Sequence, residues 1–372
     1  MPPDRYIGLM SGTSLDAIDV ALIESHPRIR LVAARSYPIP AALRDALMAL
    51  CQPGNNEIER LGRADRQLGA TLADAVLHFL QEHSLAPAEI TAIGSHGQTV
   101  RHRPSSAKQD VDSAFTLQIG DPNTLAEVTG ISVVGDFRRR DVAAGGQGAP
   151  LVPAFHKAAF SSPASNRVIA NIGGMANITV LRSNGQLSGF DTGPGNVLLD
   201  SWIQHCQNRH YDYNGEWAAS GKVNAALLAR LLDSPYYHRT GPKSTGREDY
   251  NLAAIQSHLK GLENIPQEDV QATLLELTAV TLCDAIKGEG TTEFELYLCG
   301  GGAHNIHLRQ RISEILPSSQ VADTSQLGID PDWVEAAAFA WLAHATLNGI
   351  DGNVPSVTGA KRARILGAIY PA

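Results

Sequence analysis

A run of small polar residues near the start of the chain has the composition of a phosphate cradle. Residues 11–16 read Ser-Gly-Thr-Ser-Leu-Asp, and apolar runs flank them on both sides, so residues 6–24 predict a β-hairpin with a polar tip. Gly8 and Gly12 would let the backbone approach a ligand, and the hydroxyls would add donors to exposed backbone N–H groups. An ordinary surface hairpin explains the same residues, so this run alone leaves both interpretations open.

Three further glycine-bearing turns follow predicted strands, at residues 171–174, 191–196 and 300–302. One such turn is usually simple turn chemistry. Two hairpin tips facing each other across a cleft, however, could hold the β- and γ-phosphates of a nucleotide, and a glycine-rich turn before a helix could admit a flat adenine. The P-loop, GxGxxG, HExxH and GxSxG motifs are absent from the sequence. The four turns together favour ATP as the ligand.

The elements that must position these turns are predicted in a repeating order. A hairpin, a third strand at 29–37 and then helices and strands begin the chain, and the same order starts again at 168–171, 178–181 and 186–190. A helix is predicted from Asp330, as N-cap with Pro331 at N1, to about residue 347. The repetition predicts two similar α/β domains facing a cleft, with residues 1–135 and the tail at about 355–372 in the first and residues 136–354 in the second.

Composition narrows the class of protein. A chain of 372 residues exceeds the usual single core, which agrees with two domains. The net charge of −8, with Arg138 to Arg140 as the one basic run, excludes a nucleic-acid partner. Four widely spaced cysteines indicate neither a disulfide framework nor a zinc site. Without a signal peptide or a long apolar segment, the sequence predicts a cytoplasmic protein that does not contact membranes.

Six ordered stretches, from near Tyr6 almost to the C-terminus, resemble the anhydro-N-acetylmuramic acid kinases: residues 11–16, 94–99, 135–141, 171–174, 189–196 and 243–248. The resemblance implies the sugar kinase, heat-shock protein and actin superfold, with two similar actin-like ATPase (ribonuclease H-like) domains around a nucleotide cleft. One departure is Ala17, where the family usually has glycine. Alanine at a positive φ would cost about 1 kcal/mol or more, whereas an ordinary β backbone would tolerate it.

The resemblance also implies a reaction, in which the 1,6-anhydro bridge of anhydro-N-acetylmuramic acid is opened by water and O6 is phosphorylated by ATP. The products are N-acetylmuramic acid 6-phosphate and ADP, in cell-wall recycling. Asp191 occupies the family's base position and is the predicted catalytic residue, deprotonating the water that attacks the anomeric carbon. Its other interpretation is an N-cap for the helix near Asn196.

The binding residues predicted with this resemblance fall into two sets. For ATP they are Gly12, Thr13, Ser14, Leu15, Asp16, Ala17, Ile18, Asp19, Gly173, Gly174, Gly300, Gly301 and Gly302. For the sugar they are His96, Gln98, Arg139 and Glu335. Mg²⁺ is expected as a cofactor of phosphoryl transfer, held mainly through water and ATP oxygens, and no protein ligand is assigned to it.

Each sugar-site residue has an alternative role. An arginine of the 138–140 run could clamp the γ-phosphate or the lactyl carboxylate, while at least one of the three lies in a solvated turn. His96 could be structural, and Glu335 could serve the helix dipole. The 243–247 segment is either a surface loop or a closure over ATP.

Two other functions use the same cradle: a chaperone-like or polymerising ATPase, and a sugar-binding regulator without catalysis. The predicted partners are a small-molecule sugar and, as a candidate assembly, a second copy of the chain.

Overall fold

The computed structural model describes residues 4–12, 15–104, 113–239, 241, 243–246, 249–262, 264–290 and 293–372. The chain forms two compact units. The first unit comprises Met1–Ala159 with Trp333–Ala372, and the second comprises Phe160–Asp332. Among the described residues, no helix has the length and apolar character needed to cross a membrane.

The first unit is built on a six-stranded mixed sheet. Its strands are β1 (Arg5–Ser11), β2 (Ala17–Glu24), β3 (Arg30–Pro38), β4 (Ala92–Ser95), β7 (Val133–Gly135) and β13 (Ala368–Tyr370), in the order β13-β7-β4-β1-β2-β3. β2 is antiparallel to β1 and β3, while β4 is parallel to β1 and to β7. A separate pair, β5 (Gln98–Arg103) and β6 (Phe115–Ile119), completes the strands of this unit. The predicted hairpin over residues 6–24 is confirmed.

Helices cover both faces of this sheet. They are α1 (Ala41–Leu50), α2 (Glu57–Glu82), α3 (Pro122–Thr129), α4 (Phe137–Ala143), α5 (Val152–Phe160), α12 (Val334–Leu347) and α13 (Pro355–Thr358). Because alternate residues of a strand point to opposite faces, Ile7 and Leu9 of β1 enter the core with α1, α2 and α3, while Tyr6 and Gly8 face α12.

Two glycines let α12 lie directly on the strands. A Cβ at Gly8 would come within 1.8 Å of the Ala336 carbonyl oxygen, and one at Gly94 within 1.9 Å of the Phe339 carbonyl oxygen. No larger residue fits at either position. The predicted role of Gly8, close approach to a ligand, is therefore wrong, because its bare backbone accommodates a helix.

The second unit repeats the strand order of the first. Its strands are β8 (Arg167–Ile172), β9 (Met175–Leu181), β10 (Leu187–Pro194), β11 (Glu295–Cys299) and β12 (Gln320–Asp323), in the order β10-β9-β8-β11-β12. Three antiparallel strands are again followed by two parallel ones. Its helices are α6 (Val197–Gln207), α7 (Glu216–Ser220), α8 (Ala225–Leu232), α9 (Leu252–Leu259), α10 (Gln267–Gly288) and α11 (Ile306–Ile315). The predicted α/β class, with a repeated ribonuclease H-like strand order, is confirmed.

The compact units differ from the predicted boundaries at residues 135 and 355. The first unit keeps α4 and most of α5, and it also includes α12. Ten of the fourteen residues of α12 are buried, and its apolar residues occur all around the helix. The sequence of α12 therefore does not indicate which sheet it covers. The helix also begins later than predicted, at Val334, because residues 331–333 form a single 3-10 turn after Asp330.

Candidate functional site

A backbone hydrogen bond joins the two described ends of the β1–β2 connection. The Leu15 N–H donates to the Gly12 carbonyl over 3.2 Å, and Leu15 has a left-handed backbone with φ of 60°. Such a conformation costs a leucine about 1 kcal/mol. Among the described residues other than its chain neighbours, no atom lies within 4 Å of a Cβ placed on Gly12. Thr13 and Ser14, both predicted ATP contacts, lie outside the described residues.

The remaining hairpin residues differ in their exposure. Ala17 lies in β2, paired with Pro38, so its extended backbone suits alanine and the missing glycine causes no strain. Ile18 is fully buried, and the Asp19 carboxylate accepts a hydrogen bond from Ser36. Of the described ATP predictions in this hairpin, Gly12 and the exposed Asp16 flank the tip, whereas the side chains of Leu15 and Ile18 belong to the core.

His96 lies in the turn after β4 and is held by two hydrogen bonds. Only 5% of its surface is exposed. Its Nδ1 donates to the Gly97 carbonyl over 2.8 Å, and its Nε2 accepts from Arg138 Nε over 2.9 Å. These partners require the neutral tautomer that carries its proton on Nδ1. Burial, and then the Arg138 charge, hold the pKa of His96 well below its usual range, so the ring stays neutral at physiological pH.

Arg138, rather than the predicted Arg139, is the arginine that the structure brings to His96. Its Nη1 also donates to the Gly148 carbonyl over 2.7 Å. Arg139 is 56% exposed at its side chain and pairs with Asp136 at 3.4 Å, and Arg140 is exposed as well. Burial lowers the pKa of Arg138 to about 10, against the opposing charges of two carboxylates, one of them Glu335.

Gln98 connects this turn to the hairpin. It is only 2% exposed, and its Oε1 accepts a hydrogen bond of 2.7 Å from the Ser11 hydroxyl at the end of β1. Glu335, half-buried in the first turn of α12, acts on Arg138 through its charge. We call this group the polar cluster of the first unit: Ser11, His96, Gln98, Arg138 and Glu335. It lies where β1 and β4 end, the edge at which α/β sheets bind ligands.

In the second unit, the turn between β8 and β9 meets the start of α6. The N–H groups of Asn196 and Val197 donate to the carbonyls of Gly173 and Gly174 over 2.8 and 3.0 Å. A Cβ at Gly195 would lie 2.3 Å from the Gly173 carbonyl oxygen, so only glycine fits there. These contacts bring together the predicted turns at 171–174 and 191–196.

The third predicted turn, at 300–302, joins them from β11. Gly300 has a left-handed φ of 75°, and a Cβ on it would lie 2.4 Å from Asn171 Oδ1. A Cβ on Gly302 would lie 2.3 Å from Ile172 Cγ2, whereas Gly301 is exposed, with one described atom, Asn196 Nδ2, at 3.9 Å. Bare backbone therefore faces outward at Gly301, beside the β8–β9 turn.

Asp191 lies within β10 and is half-buried. Its Oδ2 accepts a hydrogen bond from the Thr245 N–H over 3.1 Å, and its backbone carbonyl accepts from the Tyr236 hydroxyl over 2.6 Å. Burial raises the pKa of Asp191 to about 7, although the Thr245 N–H and the Lys243 charge oppose the rise. Asn196 occupies the N-cap position of α6, so the alternative role of Asp191 as the cap of that helix is wrong.

The segment at 243–245 is bound to β10. The Asp191 N–H donates to the Lys243 carbonyl over 3.1 Å. The Lys243 ammonium lies over the Phe190 and Tyr236 rings, at 5.1 and 4.8 Å from their centroids. Burial, and then the Arg239 charge, lower the pKa of Lys243, while Asp191 opposes the shift. The predicted loop thus lies against the carboxylate of Asp191; Arg247 falls outside the described residues.

Comparison with known proteins identifies the family. A model of the family described as "Anhydro-N-acetylmuramic acid kinase" matches residues 4–372. The chain belongs to the anhydro-N-acetylmuramic acid kinase family. Relatives of that name from Pseudomonas fluorescens (strain Pf0-1) and Saccharophagus degradans are each 52% identical to it, over 366 and 372 residues. These alignments cover 98% of this chain and 99% of the first relative, and 100% of both chains for the second. Among solved structures, component A of the (R)-2-hydroxyglutaryl-CoA dehydratase of Acidaminococcus fermentans is similar with a TM-score of 0.45 and 13% identity, covering 92% of this chain and 99% of that one.

This member of the anhydro-N-acetylmuramic acid kinase family has site residues that the sequence did not single out. Arg138 and Thr245 lie in the motifs that carry the resemblance, but a motif does not say which of its side chains turns inward. The described residues contain no group of three or more His, Cys, Asp or Glu side chains able to hold a metal ion.

Proposed function

We propose that the protein is an ATP-dependent kinase that opens the 1,6-anhydro ring of anhydro-N-acetylmuramic acid with water and phosphorylates O6. The products are N-acetylmuramic acid 6-phosphate and ADP, and the role is cell-wall recycling. Membership of the family over residues 4–372 supports the reaction. The observation that carries the mechanism is Asp191, a half-buried carboxylate whose pKa is raised to about 7, because a general base works best with a pKa near the operating pH.

The base, Asp191, must act on a water molecule and not on the sugar. O6 of the anhydro sugar is one end of an ether bridge and carries no proton, so the proton to be removed belongs to the water that attacks C1. Thr245 occupies Asp191 Oδ2, which leaves Oδ1 to accept that proton. As the C1–O6 bond breaks, O6 gains negative charge and attacks the γ-phosphorus, and ADP leaves.

The other residues bind and orient. We assign ATP phosphates to the hairpin tip at Gly12 and to the β8–β9 turn at Gly173, and the adenosine to the bare backbone around Gly301. Mg²⁺ would neutralise phosphate charge when bound with ATP. The polar cluster of the first unit is assigned to the sugar, with Arg138 in place of Arg139 as the ligand of its lactyl carboxylate. A cytoplasmic location and a homodimer stay predictions.

The test uses purified protein, ATP and the anhydro sugar, with ADP release as the readout. We expect ADP only when the sugar is present. Asp191→Asn should lower kcat by about 10²–10⁴ while ATP still binds. Asp233→Asn, which changes an exposed carboxylate of the same unit, is the matched control and should retain full activity.

Isotope labelling tests the order of bond changes. In ¹⁸O-water the label should enter the C1 hydroxyl, and O6 should keep its own oxygen. Label at O6, or near-normal turnover by Asp191→Asn, would contradict the assigned base. ADP release without sugar would instead indicate a chaperone-like ATPase, and ligand binding without turnover would indicate a regulator.

A further inference from the structure

Asp141, at the end of α4, is a fully buried carboxylate that the proposed chemistry does not use. Its Oδ2 accepts a hydrogen bond from the Gly148 N–H over 2.7 Å. Its Oδ1 accepts from Asn353 Nδ2 over 2.6 Å and from the Thr358 hydroxyl over 2.7 Å. A buried carboxylate is tolerated when its oxygens receive several good donors, and these three are all supplied within the first unit.

The glycine-rich segment after α4 is shaped around this carboxylate. A Cβ at Gly146 would lie 2.2 Å from Asp141 Oδ2, and the Gly146 N–H donates to the Asp141 carbonyl over 2.9 Å. Gly148 has a left-handed φ of 70°. The segment can therefore wrap closely around Asp141 only because glycine occupies both positions.

Gly148 links Asp141 to the polar cluster of the first unit. Its N–H is held by Asp141, and its carbonyl accepts from Arg138 Nη1 over 2.7 Å. Arg138 in turn donates from Nε to His96 Nε2. The Gly148 N–H and the Gly148 carbonyl belong to two adjacent peptide groups. The bond from the N–H to Asp141 therefore also fixes the position of the carbonyl, which is the acceptor that orients the Arg138 guanidinium.

The C-terminal segment closes around the opposite side of Asp141. Besides the two bonds to Oδ1, the Gln147 N–H donates to the Thr358 carbonyl over 2.8 Å, and the Lys361 N–H donates to the Ala144 carbonyl over 2.9 Å. The two carboxylate oxygens thus serve different purposes: Oδ1 anchors the C-terminal segment, and Oδ2 anchors Gly148. Asparagine at position 141 would place an NH₂ group, which cannot accept a hydrogen bond, against one of these two sets of donors.

We propose that Asp141 is a positioning residue, which holds the Gly148 carbonyl in place and thereby sets the orientation of Arg138 against His96. The consequence for sugar binding rests on the proposed function, in which Arg138 binds the acidic group of the sugar. The relay from Asp141 to His96 does not depend on that function.

The relay is tested without any substrate, by ¹⁵N NMR of histidine-labelled protein, with the His96 signals assigned from their loss in His96→Gln. Arg138→Ala gives the Nε2 shift of an His96 that lacks its donor. We expect Asp141→Asn to move the Nε2 signal at least half of the way to that value. Thr358→Val, which removes a donor to Oδ1 and keeps the Gly148 donor to Oδ2, should leave the Nε2 signal in place. An unchanged His96 signal in folded Asp141→Asn would overturn the proposal.

If Asp141→Asn does not fold, Gly148→Ala provides the second variant. Alanine at this positive φ is strained, and its Cβ would come within 2.9 Å of Val142 Cγ2, so we expect the Gly148 backbone to shift while residue 141 remains aspartate. The same movement of the His96 signal is expected. A His96 signal that stays at its wild-type position in this variant would overturn the proposal.

Kinetics test the effect on the site. Asp141→Asn should raise the KM for the sugar about tenfold and change the KM for ATP less than twofold, and it should add nothing in an Arg138→Ala background. The matched control is Asp121→Asn, which removes the charge of a carboxylate that caps α3 and should leave both KM values unchanged. Additive effects, or equal losses for both substrates, would show a merely structural role. A wild-type protein that does not consume the sugar refutes the proposed function, while the NMR result still decides the relay.

Discussion

Replacement of Asp191 by asparagine should increase the stability of the protein while destroying its activity. Burial raises the pKa of this carboxyl from 3.8 to about 7, a difference of about 3 pH units. At 1.36 kcal/mol per unit, ionising Asp191 in the folded state would destabilise it by about 4 kcal/mol as an upper limit. Because Asp191 is half-buried, water screens part of this penalty, and we expect roughly 1–3 kcal/mol.

The effect has a defined pH window. The unfolded chain releases the Asp191 proton near pH 3.8, whereas the folded chain keeps it until about pH 7. Between these pH values the folded state binds more protons than the unfolded state, so the stability of the wild type falls as pH rises. Above about pH 7, Asp191 is ionised in both states and causes no further loss of stability. The stability gain of Asp191→Asn should therefore be small at pH 4 and reach its full size near pH 8.

The assay is thermal unfolding of both proteins at pH 5 and pH 8, with kcat measured over the same range. At pH 8 the asparagine variant should melt higher by roughly 2–4 °C for each kcal/mol gained. Wild-type kcat should rise with a midpoint near pH 7, since the base must be ionised. Asparagine can still accept the Thr245 N–H, so that contact is retained.

Two outcomes would refute the reasoning. A loss of stability at pH 8 would mean that the ionised carboxylate is favourably bound and serves the fold. A stability gain that does not change between pH 5 and pH 8 would mean that its cause is packing and not charge.

The remaining predictions concern the backbone and the arginines. Gly94→Ala should lower the free energy of unfolding by several kcal/mol, because the new Cβ would meet the α12 backbone. Gly62→Ala, in a helix with open space around it, is the control and should be neutral or stabilising by up to about 1 kcal/mol. Urea unfolding measures both changes. Arg138→Ala should raise the sugar KM at least tenfold, while Arg139→Ala, whose ion pair is exposed, should change it less than threefold in the ADP assay. Ala17→Gly should leave the KM for ATP unchanged and cost about 0.5–1 kcal/mol of stability; a lower KM would mean that alanine impairs the tip.

The sequence predicted those features that depend on local chemistry. The hairpin over residues 6–24, the repeated strand order and the glycine turn at 300–302 follow from alternation and turn composition, and the structure contains all three. Gly8 was misread because a glycine that admits a helix and one that admits a ligand look identical in sequence.

The features that the sequence did not predict depend on packing. α12 is apolar around most of its surface, so its sequence does not show which sheet it covers; its close contacts with Gly8 of β1 and Gly94 of β4 place it in the first unit. In α4, the burial of Phe137 and Asp141 sets the helix rotation, and this rotation turns Arg138 inward and Arg139 outward. Asp141 itself could have been suspected from the glycines at 145, 146 and 148, which give the backbone room for a close contact.

Because the first unit is built from two separate segments of the chain, it cannot be completed early in synthesis on the ribosome. α12 and β13 are made only after the roughly 170 residues from Phe160 to Asp332. At about 5–20 residues per second, the first sheet waits on the order of 10–35 s with the face that carries Gly8 and Gly94 uncovered. During synthesis the nascent chain therefore exposes an apolar surface of the first sheet until α12 has been made and covers it. A ribosome that stalls before residue 333 would release a chain whose second unit can complete its sheet while its first remains open to chaperones and proteases.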